Sequence, residues 1–197
     1  VRSGGASTNP AGQAESLCPG SALGDNTRVK LVVVHHHFRP GGVRRVIELA
    51  VPHLVRALAP RVHTVVLAAG EAPDALWLAR FRAGLGALPF VVRLEAALGY
   101  VADRRITPAN RTRRLRKFFA ELLAGPAGGN IVWVHNPGLG RNPALARTLA
   151  QVCTARRQPL VFHHHDWWFD NRWQRWPEMR RHGFPSLARV AQAIGHH

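Results

Sequence analysis

The stretch "LVVVHHHFRPGGVRRVIELAVPHLVRAL", residues 31–58, decides how the chain is read. An unbroken apolar run is what a strand covered on both faces requires, and the spacing predicts such a strand over Lys30 to Val34. Beyond Gly41 and Gly42 the pattern changes period. Val43, Val46, Ile47, Ala50, Val51, Leu54 and Leu58 recur every three or four residues, with Arg44, Arg45, Glu48 and Arg56 on the other side. This is an amphipathic helix, expected to kink at Pro52. Three imidazoles, an arginine and a glycine pair therefore fill the short turn between a buried strand and a helix.

Working outward, strands are expected over Val62 to Ala68, Phe90 to Leu94, Ile131 to Val134 and Pro159 to Phe162. Helices are expected over Asp74 to Arg82, with Asp74 as the cap, and over Asn110 to Leu123, with Leu115, Phe118, Phe119 and Leu122 on the buried side. A further helix opens at Asn142-Pro143, a favoured cap and first-turn proline, and runs to about Ala155. The order is strand, helix, strand, helix throughout. It predicts an α/β fold: a doubly wound, mostly parallel sheet with helices on both faces and right-handed crossovers, in other words Rossmann-like.

The chain has 197 residues, 46% of them apolar, enough for one full core. Residues 1–28, rich in Gly, Ser, Ala, Asn and Pro, read as a flexible amino-terminal leader without a signal-peptide pattern. No apolar run reaches the roughly 18 to 20 residues of a spanning helix. The two cysteines, Cys18 and Cys153, cannot build a disulfide framework or a CxxC metal site, so a cytoplasmic location is expected. Cys153 reads as a small buried apolar residue.

Lys and Arg number 27 against 11 Asp and Glu, a net charge of +16. Such a field favours anionic partners, among them phosphorylated small molecules and acidic membrane surfaces. The run "RTRRLRK", Arg111 to Lys117, is read either as a peripheral membrane contact or as a solvated helix face. There is no RNA-binding signature, zinc finger or basic strand interleaved with aromatics, so no nucleic-acid partner is expected.

In an open parallel sheet, ligands bind beyond the carboxyl ends of the strands, where the strand order reverses. Three expected strands end in histidine here: His35 to His37, His135, and His163 to His165 followed by Asp166. The Arg39-Pro40-Gly41-Gly42 turn belongs to the same edge. Glycines there let a ligand approach the backbone, and the helix start offers unpaired N–H groups and the positive end of its dipole, an arrangement suited to phosphate. Gly41-Gly42 is also a common tight turn, and it is not the GxGxxG fingerprint. Alternate residues of a histidine triplet point to opposite faces, so at least one imidazole in each triplet is expected to be structural. Trp167, Trp168, Trp173 and Trp176 read as an aromatic lid packed on the domain, with stacking on a sugar or lipid as the alternative.

Taken together, "HHHFRPGGVRRVI", "IVWVHNPGLGRNPALARTLA" and "PLVFHHHDWWFDNR" resemble, in order, the amino-terminal domain of the GT-B glycosyltransferases, especially glycosyltransferase family 4. The resemblance spans residues 29–185, the expected Rossmann-like domain. Residues 186–197 then read as the start of a helix leading to a carboxy-terminal GT-B domain, which is missing from this sequence. What the resemblance implies is a retaining glycosyltransferase of the hexosyltransferase type. It would use a nucleoside-diphosphate sugar as co-substrate, need neither metal nor other cofactor, and act on an acceptor that the sequence does not specify.

Carried over by position, His165 and Asp166 match the catalytic pair. Gly41 and Gly42 match the turn beside the donor diphosphate, and His37, His135 and Asn136 fall on the acceptor side. Arg39 joins the phosphate group by charge and location alone. The missing domain would bind most of the nucleotide, so this half is expected to be inactive by itself. Two other readings stand beside this one. The histidine clusters with Asp166 suit a metal-binding or metal-dependent hydrolase domain, although the triplets leave the ligand set unassigned. The charge also suits a noncatalytic basic domain that binds anions or membranes.

Overall fold

A computed structural model describes residues 28–103, 105–166 and 176–193. The amino-terminal leader and the tryptophans Trp167, Trp168 and Trp173 lie outside the described residues. Five strands, β1 (Val29–Val34), β2 (Val62–Ala69), β3 (Phe90–Leu94), β4 (Asn130–His135) and β5 (Leu160–His163), form one all-parallel sheet in the order β3-β2-β1-β4-β5. The helices are α1 (Gly42–Ala57), α2 (Ala75–Leu85), α3 (Pro108–Leu122), α4 (Pro143–Ala155), α5 (Trp176–Arg181) and α6 (Leu187–Ala193). This is a Rossmann-like, doubly wound α/β fold. The chain runs outward from β1 to β3, returns to the other side of β1 as β4, and so sets the switch point between β1 and β4.

The alternation within β1 builds both halves of the core. Leu31 and Val33 face α1 and α2, joining Ile47, Val51, Trp77 and Phe81, while Val32 and Val34 face α3 and α4, joining Leu115, Phe119, Leu145 and Leu149. A strand buried on both faces has no polar side to show, which is why it reads as an unbroken apolar run. The edge strands behave differently. Val91 and Leu94 on β3 and Val161 on β5 remain exposed.

Helix α1 runs through Pro52, which lies inside it. Asp74 caps α2 by accepting from Trp77 N at 2.8 Å, and Asn142 caps α4 by accepting from Leu145 N at 3.2 Å. Helix α3 begins earlier than its apolar period suggested. Thr107 is the cap and Pro108 the first residue, a pairing that fixes the entry angle before any core residue appears. Segment α5–α6 docks beside α4. Met179, Phe184, Val190 and Ala193 are buried together with Trp176 packed on them, and the Arg147 guanidinium lies 4.7 Å from the Phe184 ring centroid.

One basic residue of the "RTRRLRK" run is not on the surface. Arg111 is fully buried, and its Nη1 donates to the carbonyls of Ala97 at 2.8 Å and Gly99 at 3.1 Å. Arg114 is held by Glu95 at 2.7 Å. The expected basic face therefore loses Arg111 to the interior, and Arg113, Arg116 and Lys117 remain exposed. The physical reason is the 3-10 turn Ala96–Leu98, whose carbonyls face the core and need donors that the apolar side of α3 cannot give.

Removing a donor from buried carbonyls costs about 1 to 3 kcal/mol each. Asn142 Nδ2 also reaches both carbonyls, at 2.8 Å and 2.9 Å, so Arg111→Met should lower the urea-derived unfolding free energy by about 1 to 3 kcal/mol, while Arg113→Ala on the same helix should stay within about 0.5 kcal/mol. Equal midpoints for the two variants would show that the buried guanidinium is dispensable.

Candidate active site at the switch point

The carboxyl ends of β1, β4 and β5 carry every histidine of the two triplets together with His135. Their burial sorts them. His35 and His36 are buried, and His37 is half-buried. The His35 Nδ1–H donates to the His135 carbonyl at 3.0 Å, tying β1 to β4 just past their last paired residues. The His36 Nδ1–H points to the opposite face and donates to the Leu98 carbonyl at 3.0 Å. These two are tied to backbone carbonyls, and His35 and His37 both line the cleft.

That cleft is a cavity of about 180 Å³ at the switch point. It brings together Arg39, Gly41 and Gly42 from the turn, His37 from the end of β1, and Asn136 and Asp166 from the far side. Tyr100 also lines it, a residue that the sequence reading did not single out. Its ring centroid lies 4.9 Å from those of both His36 and His37, so it anchors the cleft on the triplet. His135 and His165 stand beside the cavity rather than in its wall. Larger concavities occur elsewhere on the surface, but among the described residues these do not gather the strand ends, the glycine turn and a helix start.

Helix α1 starts at the cavity with Gly41 as its cap residue, without a side-chain cap and with no acidic residue in its first turn. Its first N–H groups have no partner within the helix, and across the cavity from them stands the Asp166 carboxylate. A Cβ built on Gly42 would meet nothing within 4 Å, and one on Gly41 only the Arg39 carbonyl at 4.0 Å. The space in front of both glycines is open to a ligand. Gly70 is the opposite case: its Cβ would fall 2.5 Å from Gly99 N and 2.9 Å from the His36 carbonyl. Only glycine lets the end of β2 pass between these two walls of the site.

Arg39 reaches the edge of the cavity but is engaged there. Its Nη2 donates to Glu71 Oε2 at 2.9 Å, its Nε to the other oxygen of the same carboxylate, and its Nη1 to Asp103 Oδ2 at 3.3 Å. Sequence spacing of 32 and 64 residues hid these partners. Arg44, also on the cavity wall, is paired with Asp74.

Asn136 organises the far wall. It adopts a left-handed conformation at φ 57°, which asparagine tolerates better than most residues. Its Oδ1 accepts from the N–H groups of His165 at 3.4 Å and Asp166 at 3.1 Å, its Nδ2 donates to Asp166 Oδ2 at 2.9 Å, and its own N–H donates to the His163 carbonyl at 2.7 Å. The expected acceptor-side asparagine thus holds the expected His165-Asp166 pair in place. His165 Nε2 and His135 Nδ1 lie 3.1 Å apart.

Burial controls the protonation of these imidazoles. Desolvation pushes His36 down to about 4 and His135 down to about 3, the latter helped by repulsion from His163 and His165. Desolvation also lowers His165, with His163 adding to the shift and Asp166 opposing it. The buried Cys153 thiol is raised to about 12, so it is an inert apolar residue, as expected.

Compared with protein-family models, curated proteins and solved structures, the chain matches none. The fold and the arrangement of the site stand on the chain's own geometry.

A histidine held neutral in the fold takes up its proton more readily when unfolded, so the folded state loses stability as pH falls from about 6.5 towards the depressed values. With His36 and His135 both contributing, unfolding free energy should drop by up to about 1.4 kcal/mol per pH unit for each group between pH 6 and 4.5. Urea titrations across that range should show the slope, and His36→Asn should flatten it.

Proposed function

We propose that this domain is the acceptor-side half of a retaining glycosyltransferase, moving a sugar from a nucleoside-diphosphate sugar to an acceptor with the help of a second, nucleotide-binding domain. The observation that carries the reading is the switch-point cavity, where an open glycine turn and a helix amino terminus without a side-chain cap face Asn136 and Asp166. The resemblance in the three motifs suggests the reaction, and the open glycine turn at the strand ends supports that reading.

In such a transfer, negative charge builds on the leaving diphosphate while the anomeric carbon gains oxocarbenium character. Peptide N–H groups at the start of α1 would meet that charge without reorganising, and this preorganisation lowers the barrier more in the transition state than in the ground state. Gly41 and Gly42 matter because they present no side chain to hold the phosphates away. Arg39 would add a formal charge by exchanging Glu71 for phosphate oxygen.

On the other side, His165 is shifted towards its neutral form by desolvation and by His163. A neutral imidazole can accept from a hydroxyl and orient it. Asn136 and Asp166 fix the loop that carries it.

Titrating isotopically labelled chain with uridine, guanosine and adenosine diphosphates should shift the amide signals of Gly41, Gly42 and Val43 for at least one of them. Gly42→Val has room in the fold, because nothing lies within 4 Å of the added carbon, and should abolish the shifts. Silence of those amides towards all three diphosphates overturns the reading. The chain by itself should give no sugar transfer, since one wall cannot enclose the donor or exclude water. Joined to its nucleotide-binding domain, His165→Ala should lose roughly a hundredfold in turnover with the fold retained.

A further inference from the structure

Beside the switch-point cavity, the described residues hold a group of three side chains able to ligate one ion: His135, His163 and His165, each offering a ring nitrogen within 4.8 Å of the other two. We propose that these three imidazoles form a binding site for a single divalent transition metal of the zinc class. The inference goes beyond glycosyl transfer and does not depend on it.

The topology explains why these three meet. His163 closes β5, and just past the strand end the His165 ring comes back over it while the His164 ring lies against Phe162. His135 is the register partner of His163 on the adjacent strand. The rings of His163 and His165 are stacked with centroids 4.4 Å apart, and His135 lies 4.9 Å and 5.4 Å from them.

The spacing of the nitrogens favours an ion. At metal–nitrogen distances of about 2.0 to 2.1 Å, two ligands of a tetrahedral ion stand about 3.3 Å apart. His135 Nδ1 and His165 Nε2 are 3.1 Å apart already, so this pair needs almost no movement. His163 is only partly buried and can turn to bring its nitrogen in from the 4.8 Å limit. His135 is held from behind, since its carbonyl accepts from His35, and its buried Nε2 has no hydrogen-bond partner among the described residues to compete for the ring.

The donor set also selects the ion. Neutral imidazoles without a carboxylate suit zinc, cobalt, nickel or copper and do not suit calcium or magnesium. Occupation of the site and hydroxyl positioning by His165 are alternative states of the same side chain.

The test uses untagged, chelator-treated chain titrated with Co2+ at pH 7. One ion per chain should bind with the strong visible bands of four- or five-coordinate cobalt, and Zn2+ should displace it stoichiometrically. His163→Ala should weaken binding at least tenfold and erase the bands. His164→Ala, removing the ring that lies against Phe162, should leave both unchanged. His165→Asn serves as a second ligand variant, and circular dichroism reports folding of each. Octahedral-type weak bands, or equal Co2+ affinity in the wild type and in the His163 and His165 variants, overturn the proposal and leave His135 and His165 as a proton-sharing pair. Diphosphate shifts at Gly41 and Gly42 are a separate readout, so either proposal can fail while the other stands.

Discussion

The carbonyl groups of Ala97, Leu98 and Gly99 point into the protein, and the fold around the site depends on their being met there. Three elements send a donor. His36 at the end of β1 reaches Leu98, Arg111 of α3 reaches Ala97 and Gly99, and Asn142 at the start of α4 contacts all three, at 2.8 Å, 3.3 Å and 2.9 Å. Each carbonyl would cost about 1 to 3 kcal/mol if left without a donor in the interior. The turn therefore acts as a common acceptor that fixes the strand end, the long basic helix and the capped helix against one another. Tyr100 follows directly, which is how a buried polar network comes to set one wall of the cleft.

The opposite wall is held by a different device with the same logic. Asn136, twisted into the left-handed region at the end of β4, spends its amide on the backbone and carboxylate of the next strand's loop. The Asn142 cap and the Asn136 clip flank the short 3-10 turn Pro137–Leu139. Between them, one segment ties the core carbonyl network to the ligand-facing edge. The glycine turn at the start of α1 completes the cavity from the third side and needs no such clip, because the helix it opens is anchored by Ile47 and Val51 in the core.

Much of this was legible in the sequence because it is periodic or local. The apolar run of β1, the three- and four-residue spacing of α1 and the Asp74 and Asn142 caps are all written within a few residues of where they act. The grouping of histidines at one sheet edge followed from strand ends alone. What stayed hidden depends on long-range contacts. Arg111 sits in a run of exposed cations and differs from them only through carbonyls 12 and 14 residues away. Asn136 was placed on the acceptor side, yet its grip on Asp166 lies 30 residues off. The joining of His163 to His135 needs the β4–β5 register, and the 163–165 alternation was the signal that could have suggested it.

The pairing of Arg39 with Glu71 and Asp103 separates the character of the cleft from the character of the chain. Although the protein carries +16 overall, the formal cations at the rim of this cavity are already matched, Arg39 by two carboxylates and Arg44 by Asp74. The resting field inside is therefore set by the oriented peptide dipoles at the start of α1 and by the Asp166 carboxylate on the facing wall rather than by the excess of arginine. A cleft of that kind sorts ligands by where their oxygens sit, and polyanions attracted to the outer surface gain little from it.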